Sequence, residues 1–130
     1  MPNSARAGAV VFARDLRRVA KFYEALLGMP AVHSEHDHVV LESAHCELVI
    51  RAIPKKIADT IEITVPPGRR TANPIKLYFF VTSLAEARVK AAALGAELNP
   101  RKGEWEARGF RACDGHDPEG HVLQLRERAS

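Results

Sequence analysis

Cysteine is nearly absent from this chain: Cys46 and Cys113 are the only two in 130 residues. So few cysteines, so far apart, exclude a disulfide-stapled scaffold and the short C-x-x-C pattern of a zinc site. Both are expected to be free thiols that pack as small hydrophobes. Long apolar runs are missing too, and none approaches the roughly 18 residues of a membrane-spanning helix. The first residues, Met1-Pro2-Asn3-Ser4-Ala5-Arg6-Ala7, lack the apolar stretch of a secretion signal. No membrane partner is expected, and a cytoplasmic location is. Aromatics make up 6% of the chain and do not interleave with basic residues. The basic residues are scattered, with pairs at Arg17-Arg18, Lys55-Lys56 and Arg69-Arg70. That pattern excludes the basic, aromatic stripe of a nucleic-acid interface. A net charge of +3 suits surface solvation or attraction of a small anion.

What is present is a repeat. Val11-Phe12-Ala13-Arg14-Asp15-Leu16 opens a stretch that closes on Leu27-Gly28, and Phe80-Val81-Thr82-Ser83-Leu84 opens one that closes on Leu94-Gly95. The leucines after the caps, Leu16 and Leu84, stand 68 positions apart, and the closing glycines 67. Each copy reads as a buried strand, a polar cap, an amphipathic helix and a glycine stop. Asp15 suits an N-cap because its carboxylate accepts a free amide of the first turn. Leu16, Val19, Ala20, Tyr23, Leu26 and Leu27 recur at helical spacing. Ser83-Leu84-Ala85-Glu86 fits a capping box, and Leu84, Ala87, Ala91 and Leu94 form the second apolar face.

Short strands follow each helix. In the first copy they are predicted at residues 31–33, 38–41 and 46–52. In the second they are predicted near 97–98, from about Trp105 to Ala112, and at 121–126. Asp117-Pro118-Glu119-Gly120 supplies the turn before the last, with proline second and glycine fourth. The fold class is therefore α+β, a single domain over residues 1–130 built of two βαβββ modules. The first spans about 8–52 and the second about 75–127. The connector, 53–74, is punctuated by prolines and holds one alternating stretch, Ile61 to Val65, that reads as an edge strand. It is long enough to cover one edge of a cleft between the modules.

Asp15-Leu16, Phe22-Tyr23, Leu27-Gly28, Ser83-Leu84, Leu94-Gly95 and Asp117-Pro118-Glu119-Gly120-His121 occur in an order that spans nearly the whole chain. This ordered set resembles the vicinal oxygen chelate superfamily, which includes glyoxalase I, fosfomycin resistance enzymes, extradiol dioxygenases and bleomycin-binding proteins. The resemblance implies a glyoxalase-like fold, in which the paired modules form a curved mixed sheet around a cup. In metal-dependent members a divalent ion in that cup chelates two neighbouring substrate oxygens and acts as a Lewis acid.

Strand alternation sorts the side chains. Gly8, Val10 and Phe12 are expected to face the cup, with Glu47, Val49 and Arg51 from the fourth strand. From the second module come Lys76, Tyr78, Phe80, Val122, Gln124 and Arg126. The family's metal-ligand positions then fall on Gly8, Glu47, Lys76 and Gln124. Glycine has no donor, a protonated lysine has no lone pair, and an amide is a poor ligand beside a carboxylate. No metal ligands are assigned and no cofactor is expected; a divalent metal is the alternative. Lys76 is expected to stand where the cation would be, paired with Glu47 and bonded to Gln124, or else to extend to solvent at the rim.

The expected role is metal-independent binding of a small organic molecule, anionic or aromatic. The ligand-binding candidates are Val10, Phe12, Glu47, Arg51, Lys76, Tyr78, Phe80, Gln124 and Arg126. The rival is a glyoxalase-like lyase, isomerase or dioxygenase, with a shifted metal site or with Lys76 and Glu47 as acid and base. Whether the chain is an enzyme stays open at this point. A homodimer is expected from the resemblance. Cys113 and Asp114, just before the turn, are further candidates for the cup. Trp105 is a candidate for an aromatic wall. His33, His36, His38 and His45 read as an exposed polar turn, and His116 and His121 as turn residues.

Overall fold

The two copies of the repeat fold into two separate sheets in the computed structural model, which describes residues 6–129. The chain divides into two compact units, one reaching to Glu62 and one starting at Ile63. Each has one long helix packed against a mixed sheet, so the class is α+β.

In the first unit β1 is Ala7–Ala13, α1 Leu16–Leu27, β2 Ala31–Ser34, β3 His38–Glu42 and β4 Cys46–Ala52. The sheet order is β1-β4-β3-β2, with β1 and β4 parallel. Asp15 caps α1 as predicted, accepting the Arg18 amide at 3.2 Å. Gly28 ends it at φ 65°, where its amide reaches the Glu24 carbonyl. The buried stripe of α1 is Leu16, Val19, Ala20, Phe22, Tyr23 and Leu26. Phe22 joins the expected stripe in place of Leu27, which is only half-buried. The stripe covers Val11, Ala13, Val39, Leu41, Leu48 and Ile50, and each fully buried large apolar side chain contributes about 1.5–3 kcal/mol.

The connector differs from expectation. Residues Lys55–Ala58 form a short helix, α2, whose amides at Ile57 and Ala58 return to the Pro54 carbonyl. The edge strand expected over Ile61 to Val65 does not form. Val65 precedes two prolines that offer no amide to a ladder, and it is exposed. Thr64 instead donates its hydroxyl to the Pro66 carbonyl at 2.8 Å.

In the second unit β5 is Leu77–Phe80, α3 Leu84–Ala93, β6 Glu97–Leu98, β7 Trp105–Ala107, β8 Phe110–His116 and β9 Val122–Arg128. Ser83 caps α3 by accepting the Glu86 amide at 3.1 Å. The free Leu84 amide goes to Glu127, across the sheet, at 2.7 Å. The strand expected from Trp105 to Ala112 is in fact a hairpin. Arg108 and Gly109 both take positive φ, 38° and 82°, and fold β7 back on β8. Strand β8 then runs on to His116, four residues past the expected end.

The sheet order is β5-β9-β8-β6, with β7 also on β8. Strand β6 pairs with the Gly115–His116 end of β8 and β7 with the Phe110–Ala112 end. Together β6 and β7 fill the place that β2 has in the first unit, so the duplication holds in three dimensions. No helix among the described residues is long and apolar enough to cross a membrane.

Candidate functional site

Each sheet has a helix-covered face and an open one, and alternation assigns them as the sequence predicts. On β1, Val11 and Ala13 are buried while Val10 and Phe12 are about half exposed. On β5, Tyr78 is 52% exposed and Phe80 41%. The candidates therefore form two sets, each on the open face of its own sheet.

The second unit carries the richer set. Parallel pairing sets Tyr78 beside Gln124, and antiparallel pairing sets Gln124 beside Asp114. The next row is Phe80, Arg126, Ala112 and Trp105. Side chains paired directly across strands share a face, so Trp105 belongs to this face with Arg126.

A chain of polar contacts crosses it. Lys76 Nζ donates to Asp114 Oδ2 at 3.0 Å. Gln124 Nε2 donates to Asp114 Oδ1 at 3.1 Å, and Gln124 Oε1 accepts from Arg126 Nε at 2.7 Å. The Arg126 guanidinium lies 3.6 Å from the Tyr78 ring centre and 4.2 Å from that of Phe110. The small side chain of Ala112 in the same row leaves room for it. Gln124 is 7% exposed, and both ends of its amide are used. Such a satisfied network holds its side chains in one arrangement, because every unmade bond at low dielectric is costly.

Within its own unit Lys76 has Asp114 as partner, a contact that the sequence did not predict. Sequence reasoning placed Asp114 near the cup without a role, and it did not select Phe110. The signal for Asp114 was present. A tight turn over Asp117 to Gly120 sets His116 opposite Val122, and stepping back two places sets Asp114 opposite Gln124.

In the first unit Gly8 lies beside Glu47, Val10 beside Val49 and Phe12 beside Arg51. Arg51 approaches Asp37 at 3.5 Å, and Asp37 also meets His38 at 2.7 Å. Phe12 and Arg51 line a cavity of about 700 Å3 with Arg14, Asp37, Pro54 and Lys55. Opposite Glu47 stands Glu42, whose charge is taken by Arg6 at 2.8 Å.

Of the four family metal positions, Glu47 alone carries a good ligand for a divalent ion, and the other three do not, each taken within its own unit. Gly8 offers no donor, and a Cβ there would meet the Glu47 carbonyl oxygen at 2.9 Å, too close for a side chain without movement. Lys76 is an ammonium already bound to Asp114, and Gln124 is a neutral amide with both ends engaged. Among the described residues no three His, Cys, Asp or Glu side chains are grouped to hold a metal. Both cysteines are free thiols; Cys113 is buried and donates to the Asn99 carbonyl at 3.3 Å. Burial pushes the Cys113 thiol up, which suits a packing role.

His116 and the connector lie beside this network. Arg69 Nε donates to His116 Nδ1 at 2.7 Å, so that nitrogen carries a lone pair. Burial, and then the Arg69 charge, lower the His116 pKa below 6.5, against the opposing pull of Glu97 and Asp117. An unfolded chain therefore takes up this proton first, and stability should fall as pH drops from about 6.5 toward the lowered folded value. We expect urea midpoints to fall between about pH 7 and pH 5, and to fall less in His116→Gln. Equal slopes for the two proteins would show that His116 does not contribute.

The glyoxalase-like domain family matches residues 8–126. Among solved structures, a glyoxalase/bleomycin resistance protein/dioxygenase family enzyme from Burkholderia phytofirmans PsJN is 18% identical, with a TM-score of 0.68 over 93% of this chain and 96% of that one. The fosfomycin resistance protein FosX from Listeria monocytogenes is 19% identical, with a TM-score of 0.62 over 98% and 93%. A bleomycin resistance determinant encoded on transposon Tn5 is 20% identical, with a TM-score of 0.60 over 96% and 98%. At these identities the likeness speaks for the fold. No protein of curated function matches the sequence. The family match runs from the first strand to the last and takes in both copies of the repeat, and on it the chain belongs to the glyoxalase-like domain family, within the vicinal oxygen chelate superfamily.

Proposed function

We propose that this protein binds a small planar organic anion on the open face of its second sheet, without a divalent metal. The observation that supports this reading most is the run Lys76–Asp114–Gln124–Arg126, with Arg126 between Tyr78 and Phe110. Lys76 and Arg126 carry two positive charges against the one negative charge of Asp114. One net charge is left to attract an anion. Tyr78, Phe80 and Trp105 stand part-exposed beside it, with Arg126 over the Tyr78 ring and Arg128 over that of Phe80, and a planar ligand gains from stacking on the ring surface that stays open. The neighbours named for fosfomycin and bleomycin resistance are consistent with a fold that handles small organic molecules. The first unit's Val10, Phe12, Glu47 and Arg51 are proposed as further ligand contacts on their own sheet.

A catalytic reading rests on one observation, the 3.0 Å approach of Lys76 to Asp114. An ammonium held by a carboxylate can exchange a proton with a substrate oxygen, and such a step needs no metal. Turnover would then be lost in both Lys76→Met and Asp114→Asn, whereas a pure binder shows none in any variant.

The test of binding is a titration with 2-naphthoate, read by the fluorescence of Trp105, the only tryptophan. Saturable quenching is expected, and Lys76→Met should weaken it about tenfold, which is about 1.4 kcal/mol. Unchanged affinity in Lys76→Met would overturn the role given to that residue. One tightly held divalent ion per purified chain, found by elemental analysis, would overturn the metal-independent half of the reading.

A further inference from the structure

Beyond Lys76, the connector brings two arginines to the same place. Arg69, Arg70, Thr71, Lys76, Asn99 and Asp114 line a cavity of about 330 Å3. This part of the connector is well anchored. The Arg70 amide donates to the Gly120 carbonyl at 2.9 Å, and Arg70 bridges to His121. Gly120 itself is packed against the backbone of Gly68. The main chain holds the segment at Arg70, and the Arg69 side chain adds its bond to His116.

The charges in this cavity are unequal. Asp114 answers Lys76. Arg69 donates its Nε to a neutral histidine and meets only an exposed Glu97 at 3.6 Å. Among the described residues no carboxylate comes within ion-pair distance of Arg70. Three cations against one acid leave two net positive charges in a space of about ten water volumes, at about 30 Å3 each. Thr71 and Asn99 add neutral polar groups to the lining. Arginine forks match oxyanions in which two oxygens can be taken together. A single carboxylate would leave one of these charges unanswered.

We infer that the anionic end of the ligand is a doubly charged oxyanion of the phosphate monoester type, seated by Arg69, Arg70 and Lys76. This deepens the proposed function and rests on it, since Lys76 and Asp114 belong both to this cavity and to the aromatic face. Arg70 is the specificity-determining residue, because its charge is the least engaged of the three cations in this cavity. Its side chain is only partly buried and makes no ion pair or side-chain hydrogen bond among the described residues, so its replacement is expected to leave the protein folded.

The experiment compares 2-naphthyl phosphate with 2-naphthoate at about pH 7.5, where the phosphate is a dianion. The phosphate is expected to bind at least about tenfold tighter than the carboxylate. Arg70→Gln should cost the phosphate about tenfold and change the carboxylate by no more than roughly twofold. Inorganic phosphate should compete with 2-naphthyl phosphate, and less well in Arg70→Gln. Equal affinities for the two ligands, or an Arg70→Gln effect of the same size on both, would overturn the inference. If 2-naphthoate binds through Lys76 and the phosphate has no advantage, the oxyanion inference falls and the proposed function stands. If inorganic phosphate binds through Arg70 and neither naphthyl ligand exceeds it, the oxyanion site stands and the planar-ligand reading falls.

Discussion

Gly120→Ala is expected to cost about 3 kcal/mol, a large share of the stability of an ordinary domain. Two effects add. Gly120 has φ +86°, where a Cβ crowds the backbone and alanine is strained by about 1 kcal/mol or more. A Cβ there would also be driven onto the carbonyl oxygen of Gly68, a contact no side chain can make, so the connector would have to lift away. Overpacking of that kind costs about 1–3 kcal/mol. Gly109 separates the two terms. Its φ is +82° but nothing lies within 4 Å of its Cβ position. Gly109→Ala should therefore lose only the backbone share, about 1 kcal/mol.

Urea unfolding of both variants measures the difference. Equal losses would mean that Gly68 yields freely and that the connector is not clamped at the turn. The clamp matters to the site, because the segment it holds continues directly into Arg69 and Arg70. Gly120→Ala should accordingly weaken binding of 2-naphthyl phosphate more than binding of 2-naphthoate, even where the variant is still folded.

How much of this was legible in the sequence follows from the range of each interaction. Helix α1 was readable almost to its ends, because Asp15, the apolar stripe and Gly28 are local signals that act within one turn. The in-and-out alternation of β1, β4, β5 and β9 was readable because a buried helix-side face needs an apolar residue at every second place. Residues 105–116 misled, since Arg108 is an unusual host for positive φ and only Gly109 hinted at a two-residue turn. Missing that hairpin ended β8 too early and hid the place of Asp114 beside Gln124. The short helix α2 and the approach of Arg69 to His116, 47 positions away, depend on how the connector lies across its unit. No local pattern carries that information. That Gly8 and Lys76 offer no donor to a metal was legible as residue types alone. The structure adds the reason Gly8 resists a side chain, the neighbouring Glu47 carbonyl.

Asp117→Ala is the second large loss we expect, about 3–4 kcal/mol. This carboxylate is fully buried. Its Oδ1 accepts the amides of Glu119 at 2.9 Å and His121 at 3.1 Å, and its Oδ2 meets His121 Nδ1 at 2.7 Å. Alanine removes these acceptors at once and leaves two turn amides without a partner, and bonds to a charged group contribute about 1.5–3 kcal/mol each. Asparagine is the informative contrast. Its carbonyl oxygen can keep both amides, and its amide nitrogen can donate to His121 Nδ1 once that ring places its proton on Nε2. Asp117→Asn should therefore lose only about 1 kcal/mol. Losses that agree within about 0.5 kcal/mol would show that the amide bonds are not what holds the turn. The same turn sets the β8–β9 register, and that register sets Asp114 beside Gln124. In Asp117→Ala the Lys76–Asp114–Gln124 contacts should loosen with the turn, so 2-naphthoate affinity should fall in step with stability. In Asp117→Asn it should stay near the parent value, because the register survives wherever the two amides are still held.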